Sequence, residues 1–183
     1  MQHTAIAWHE YLGSWHEFYL MAGTAAVTLA GLLFVAISLH IDALIHDQRE
    51  HLLALARGIL FSFVMVLVLS LMMLVPHQAL RVTASEMMAL GLIFLMINLR
   101  QMRWKPKVDH AGFSAGLMRR RMIPPLIGYG LVFLTGLSLA ITRTPEMMNF
   151  VTGAVCMLLG NAAGASWDLL VRMARIKKDD VRG

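Results

Sequence analysis

Long uncharged stretches alternate with short charged ones along this chain of 183 residues. An apolar helix needs about 20 residues to cross the hydrocarbon core of a bilayer. Five stretches reach that length, alone or with their flanks, and their expected bounds are 18–41, 58–75, 84–104, 124–142 and 147–167. The pattern therefore predicts an all-α integral membrane protein that folds as a five-helix transmembrane bundle in a single domain.

Polar residues beside the second and third stretches predict where those helices begin. In the segment "DQREHLLALAR", Asp47 followed by Glu50 is an acceptable helix start, which predicts a helix that begins in water and enters the membrane near Arg57. Thr83 and Glu86 have the spacing of a capping box, in which each side chain bonds the backbone of the other residue. We therefore expect the third helix to start at about Ala84.

Prolines and an acidic residue mark the starts of the last two stretches. Pro124 and Pro125 are expected in the first turn of the fourth helix, where backbone N–H groups have no intrahelical partner. Thr144, Pro145 and Glu146 form a strong start signal for the fifth helix.

The basic residues give an independent test of these spans, because Lys and Arg concentrate in cytoplasmic segments. With the N-terminus outside and the C-terminus inside, 14 of the 16 Lys and Arg residues fall on the inner side. They lie in the segment before the second span, in a basic loop at 105–121 with its flanks, and in a tail at 172–183. Only Arg81 and Arg143 fall outside. This asymmetry predicts the orientation, and we expect a bacterial inner membrane.

Composition agrees with a membrane protein, because 58% of the residues are hydrophobic, 15% are charged, and the mean hydropathy is +0.64. The first span is too long for a signal-peptide core, so we expect it to be retained. The net charge of +5 follows from membrane orientation, and the chain lacks the basic, aromatic-interleaved module of a nucleic-acid reader. The basic inner face is expected to attract anionic lipid, at about 1 kcal/mol per residue.

A near-repeat opens the chain. In "WHEYLGSWHEF", residues 8–18, a Trp-His-Glu triplet occurs twice, seven residues apart. On a helix such residues lie about 20° apart, so they form a stripe. Because tryptophan favours the headgroup layer, we interpret the segment first as a membrane-surface anchor.

Three functional interpretations of this near-repeat compete with the anchor. A zinc protease helix needs a histidine four residues after the first, and Gly13 occupies that position. Haem between paired histidines is disfavoured, because His16 and His40 are about 36 Å apart along a helix. In a homo-oligomer, each chain would contribute acidic side chains to a ring at the outer mouth of a pore, and an acidic ring favours cations. That ring would contain His9, Glu10, His16 and Glu17.

Ionisable residues are absent from the middle of every expected span and sit only at helix ends. Proton-coupled transporters normally carry buried carboxylates, so their absence disfavours such a function. The chain also offers no convergent Ser, His and Asp set. We therefore expect no enzyme activity, no cofactor and no metal site.

Small residues form two faces at which another helix can approach closely. Residues 22–31, "AGTAAVTLAG", include Gly23 and Gly31, and the fifth span carries Cys156, Gly160 and Gly164 at four-residue steps. These faces are expected to pack helices, either within one chain or between subunits. The single cysteine excludes an internal disulfide.

Two hydroxyl stripes are the candidates for a pore lining. The first contains Thr24, Thr28 and Ser38, and the second contains Thr135, Ser138 and Thr142. In the competing interpretation each hydroxyl bonds the carbonyl four residues earlier, which hides it inside a membrane helix. The 15 methionines are similarly open to two interpretations, copper binding through clustered thioethers or gap filling in the core.

These patterns lead to two functional hypotheses of different classes. The first is a homo-oligomeric ion channel or pore-forming subunit, with the hydroxyl stripes along the pore and Glu10 and Glu17 at its outer mouth. The second is a non-catalytic accessory or assembly subunit that docks on a larger membrane complex through its small-residue faces.

Overall fold

The fold is a bundle of five long helices, obtained as a computed structural model that describes residues 8, 13–39, 50–76, 78–103 and 115–180. The helices are α1 His16–Leu39, α2 Glu50–Met73, α3 Leu80–Arg103, α4 Ala115–Thr142 and α5 Met148–Asp180, with a 3-10 turn at Pro145–Met147. Each contains a segment long and apolar enough to cross a membrane. The prediction of an all-helical bundle with five helices long and apolar enough to span a membrane is confirmed.

Contacts between helices show that neighbours in the chain run antiparallel. Gly23 near the start of α1 meets Ser70 near the end of α2, and Gly136 near the end of α4 meets Ala84 near the start of α3. Helices α2, α3, α4 and α5 form a closed group of four, in which the α3–α4 pair is the most extensive. Helix α1 packs outside this group, mainly against α2 and along one edge of α5.

The interior of the bundle is mainly apolar among the described residues. One cluster of buried side chains, which includes Leu69, Met87 and Val155, fills the space among all five helices. A second cluster, around Phe63 and Leu169, joins α1, α2 and α5. Among the residues whose side chains the structure describes, which leaves out 50–51, 115–121 and 175–180, no Asp, Glu, Lys or Arg is buried. The expectation that ionisable groups avoid the middle of the bundle is met in this part of the chain.

Arginines divide the bundle into two unlike ends. Arg57, Arg100, Arg103 and Arg172 lie at the end formed by the start of α2, the end of α3, the start of α4 and the end of α5. We call this the basic end. Arg81 and Arg143 lie at the opposite end.

Glycines let α3 and α4 approach until their backbones touch. A Cβ added to Gly91 would lie 2.7 Å from the backbone N of Phe133, and one added to Gly136 would lie 2.9 Å from the backbone N of Met88. Gly128 has a similar role between α4 and α5, where an added Cβ would meet Leu158 at 2.8 Å. At Gly91 and Gly136 the close atoms are backbone, so glycine is required there, whereas at Gly128 the Leu158 side chain would have to shift.

The start of α2 at Glu50 confirms that this helix begins before Arg57. The capping box predicted for α3 is wrong, because the helix begins at Leu80. Thr83 is already inside the helix and its hydroxyl donates to the carbonyl of Ala79 at 3.4 Å. The Glu86 carboxylate instead accepts a hydrogen bond from the side chain of Gln78. The capping box would pair Glu86 with the backbone of Thr83, but Glu86 pairs with Gln78, which precedes the helix.

The predicted start of α4 at its two prolines is also wrong. The helix begins at Ala115, so Pro124 and Pro125 lie within it. Two prolines remove two backbone donors, and they leave the carbonyls of residues 120 and 121 without their usual helical partners. Residues 115–123 still form helix, because "AGLMRRRMI" is rich in strong helix formers.

A tight turn joins α4 to the 3-10 segment. Arg143 has a φ of 56°, the left-handed conformation common just after a helix, and its N–H donates to the carbonyl of Leu139 at 3.1 Å. The hydroxyls of Thr142 and Thr144 share a hydrogen bond of 2.7 Å across the turn. The predicted start signal at residues 144–146 is confirmed, since the 3-10 turn begins at Pro145.

Candidate functional site

The hydroxyl stripe of α1 lies on the outer surface of the bundle. A continuous row with alternating spacings of four and three residues is exposed from one end of α1 to the other, and it contains Glu17, Met21, Thr24, Thr28, Gly31, Val35 and Ser38. We call this row the α1 seam. It lies opposite Ala26 and Leu33, which pack against the bundle. Such spacing is the pattern by which two helices pack along a common line.

The hydroxyls in the α1 seam already have partners within their own helix. Thr24, Thr28 and Ser38 donate to the carbonyls four residues earlier, at 2.8, 2.8 and 2.9 Å. This arrangement satisfies each O–H and leaves oxygen lone pairs on the exposed face.

The second hydroxyl stripe does not share a surface with the first. Thr135 is buried in the bundle and donates to the carbonyl of Leu131 at 2.8 Å. Ser138 is half-buried, and Thr142 is exposed at the end of α4, where it bonds to the carbonyl of Ser138. The two stripes therefore do not line one path within a single chain.

Only one of the predicted packing glycines is covered. A Cβ added to Gly23 would meet Ser70 at 3.0 Å, so this glycine serves the α1–α2 contact. Gly31, Gly160 and Gly164 have nothing within 4 Å, and Cys156 is exposed. Within one chain, these four positions are open rather than packed.

The open row on α5 also includes one glycine that lies outside the four-residue steps. Gly153, one helical step before Cys156, is also exposed and has nothing within 4 Å. Together with Gly160 and Gly164 these residues form a continuous small-residue face, which we call the α5 face. Trp167 lies at one end of it and is 69% exposed.

The predicted outer-mouth residues are placed only in part. His9 and Glu10 lie outside the described residues. His16 and Glu17 are both exposed at the start of α1, and Glu17 falls on the α1 seam. In the described part of the chain no three His, Cys, Asp or Glu side chains come together as a metal site would require.

Trp8 is not a membrane-surface anchor, because it is 1% exposed and belongs to the larger core cluster. Its indole N–H donates to the carbonyl of Gln78 at 3.1 Å. The tryptophan therefore closes the end of the bundle opposite the basic end. Trp15 is half-buried and packs edge to face on Phe18, with ring centroids 5.8 Å apart.

A narrow, mostly apolar cleft between α2, α3 and α4, near the basic end, was not predicted. Its walls contain Gly58, Phe61, Phe94, Ile97, Asn98, Gln101 and Tyr129. The hydroxyls of Ser62 and Tyr129 share a buried hydrogen bond of 3.0 Å behind it. The gap between the walls is too narrow for a water-sized sphere.

Two amide oxygens in this cleft lack a hydrogen-bond partner. They are Asn98 Oδ1 and Gln101 Oε1, both buried as atoms. Asn98 as a whole is 7% exposed, whereas Gln101 is half-buried. The sequence signal for this cleft is that Asn98 is the one amide in the uncharged part of the third span, residues 87–99. Asn161, the amide in the middle of α5, is half-buried.

The Ser62–Tyr129 hydrogen bond provides a measurable link between α2 and α4. Tyr129→Phe is expected to lower the unfolding free energy by about 1 kcal/mol, because interhelical hydrogen bonds in membranes are modest. Ser62→Ala is expected to lower the unfolding free energy by about as much. The double variant is expected to lose less than the sum of the two single losses. Denaturant unfolding of all three variants measures the coupling. Ser166→Ala is the control, because Ser166 bonds only its own helix, at Ala162. Strict additivity of the two substitutions would contradict the link.

Compared with protein-family models, with curated proteins and with solved structures, the chain matches none of them. Its function is therefore argued from the surfaces described above.

Proposed function

We propose that this protein is a homo-oligomeric ion channel or pore-forming subunit in which α1 of each copy lines the conduction path. The supporting observation is the α1 seam, which places three hydroxyls, a glycine and a carboxylate on one exposed line. Because apolar side chains fill the space among the helices, the path lies between copies rather than within one.

The chemistry of the α1 seam suits a cation. Hydroxyl oxygens whose protons are engaged within the helix present lone pairs, which can replace part of a hydration shell. Glu17 adds negative charge at one end of the seam, and His9, Glu10 and His16 complete the proposed outer mouth. The buried Thr135 and its stripe on α4 have a structural role in this proposal.

Orientation follows from the charges. The basic end faces the cytoplasm and contacts anionic lipid, and the N-terminus is outside, in a bacterial inner membrane. The protein is non-catalytic, without a cofactor, and has no nucleic-acid partner in this proposal.

Disulfide cross-linking tests whether α1 lines an interface between copies. In a Cys156→Ser background, single cysteines at positions 24, 28, 31 and 35 are expected to form disulfide-linked dimers in the membrane, because these positions share the α1 seam. Single cysteines at Val27 and Leu32, which are exposed beside the seam, are the matched controls and are expected to cross-link less. Equal cross-linking at all exposed positions would contradict a specific interface.

Conduction is measured in liposomes that contain the purified protein. Wild type is expected to release trapped cations, and Glu17→Gln is expected to reduce the preference for cations over anions, because the carboxylate ring is lost. A monomeric protein that passes no ions contradicts the channel.

The open α5 face favours a second candidate, an accessory or assembly subunit of a larger membrane complex. Small residues allow another helix to approach closely, and nothing in the described chain covers this face. Gly160→Leu is then expected to release the partner protein while leaving ion flux absent in both forms. Flux from the purified wild-type chain would contradict this candidate.

A further inference from the structure

The α1 seam changes its chemistry along its length. Its first part presents the carboxylate of Glu17 and the hydroxyls of Thr24 and Thr28. The next hydroxyl on the seam is that of Ser38, ten residues after Thr28. At 1.5 Å per residue this interval is about 15 Å long. An ion that follows the seam therefore crosses an interval in which no seam side chain offers an oxygen.

Gly31 and Val35 are the two seam residues inside this interval, and their surfaces differ. Nothing lies within 4 Å of the place where a Cβ on Gly31 would be, so the helix backbone is uncovered there. Backbone carbonyls keep a second lone pair after their helical bond, and the surface at Gly31 is still polar for this reason. At Val35 an apolar side chain covers the backbone and is 58% exposed. Val35 is therefore the least polar level of the interval.

The neighbours of Val35 on the exposed surface of α1 are apolar as well. Leu32 and Leu39 lie on one side of the seam and Phe34 lies on the other, and all three are exposed. By contrast, residues 22–31, "AGTAAVTLAG", are mostly small. An ion thus finds no polar side chain on either side of Val35.

Met21 is the other apolar side chain on the seam, but it is a poor barrier. Methionine is unbranched and flexible, so its side chain can swing out of an ion's way. Valine is β-branched and has one strongly preferred rotamer in a helix, so a ring of valines keeps its shape. Met21 also lies one helical turn from the Glu17 carboxylate, whereas Val35 has no charged residue within a turn on either side.

We propose that Val35 is the hydrophobic gate of the conduction path, a ring to which each copy of the chain contributes one valine. This inference rests on the proposed function, in which α1 of each copy lines the path. A cation that enters the ring gives up water molecules that no group at this level replaces, so the closed ring stops conduction.

The position of α1 in the bundle suits the opening of such a gate. Helix α1 packs outside the closed group of four helices, mainly against α2, so its movement leaves that group intact. Movement of α1 away from the centre of the oligomer separates the valines, and water then enters the path.

Cation flux from liposomes that contain the purified full-length chain tests the gate. Val35→Thr adds one hydroxyl to a side chain of almost the same shape, and it is expected to raise the flux about tenfold over wild type. Val27→Thr is the matched control, because it makes the same substitution at an exposed position beside the seam. Its flux is expected to equal that of wild type.

Val35→Ala separates polarity from size. Alanine is smaller than valine but still apolar, so this variant is expected to raise the flux less than Val35→Thr does. Val35→Ser repeats the test with a second hydroxyl side chain should Val35→Thr fail to fold, and it is likewise expected to exceed Val35→Ala.

The results distinguish failure of the gate from failure of the channel. The gate alone is overturned if wild type conducts and Glu17→Gln reduces the preference for cations, while Val35→Thr leaves the flux unchanged. An equal rise in Val35→Thr and Val27→Thr, or in Val35→Thr and Val35→Ala, also overturns it. Absence of flux from wild type and Val35→Thr alike overturns the channel and the gate together.

Discussion

Replacing Gly91 with alanine is expected to destabilise the bundle by about 1–3 kcal/mol. The added methyl group would sit 2.7 Å from the backbone N of Phe133 and 2.9 Å from its Cα. A backbone atom cannot rotate away as a side-chain end can, so α3 and α4 must move apart. Because this pair has the most extensive contact in the bundle, the separation weakens many neighbouring contacts at once. Thermal unfolding in detergent measures the loss.

Two other glycines provide the control for Gly91→Ala. Gly153 and Gly160 are also helical, but an added Cβ there meets nothing within 4 Å. Alanine is a better helix former than glycine by about 1 kcal/mol, so these substitutions are expected to leave the stability unchanged or to raise it. Similar losses at Gly91 and Gly153 would mean that close backbone packing is not the cause.

Trp8→Ala is expected to lower the unfolding free energy by about 3–5 kcal/mol, the usual range for a large buried aromatic residue. The side chain is 1% exposed and contributes both apolar contacts and the hydrogen bond to Gln78. Trp8→Phe keeps part of the apolar contacts but loses the donor and one ring, so it is expected to cost less than Trp8→Ala, about 1–3 kcal/mol. Unfolding by heat or denaturant distinguishes the two variants.

Trp167→Ala is the control for Trp8→Ala. Trp167 is 69% exposed on α5, and its removal is expected to change the stability by less than about 0.5 kcal/mol. If Trp8→Ala were as mild as Trp167→Ala, the N-terminal tryptophan would not close the bundle as described.

The five spans could be predicted because bilayer thickness imposes a length and a polarity that a single sequence displays directly. The start of α2 followed from charged residues ahead of an apolar stretch. The starts of α3 and α4 did not follow, because local motifs compete with tertiary contacts. Glu86 has the spacing of a cap, yet its partner is Gln78.

Which glycines pack helices could not be predicted from spacing. Small residues at four-residue steps occur on the α5 face, which is open. Gly91 and Gly136, which do pack helices, are not part of such a row. The partners of these two glycines are backbone atoms on another helix, and no pattern within one helix contains that information. The cleft between α2, α3 and α4 could not be predicted for the same reason. Its walls come from three helices, with Asn98 and Gln101 on α3, Gly58 on α2 and Tyr129 on α4.

Trp8 was misinterpreted for a related reason. A tryptophan beside a membrane span has the same local sequence whether its ring faces headgroups or the bundle interior. The deciding feature is the carbonyl of Gln78, 70 residues away in the sequence.

The connections between helices are unequal at the two ends of the bundle. Between α4 and the 3-10 turn only Arg143 and Thr144 intervene, with Arg143 in a left-handed conformation, whereas residues 40–49 and 104–114 separate the helices at the basic end. A turn this short leaves no slack for added sequence. Inserted sequence is consequently expected to be tolerated less well between α4 and the 3-10 turn than in the longer connections at 40–49 and 104–114.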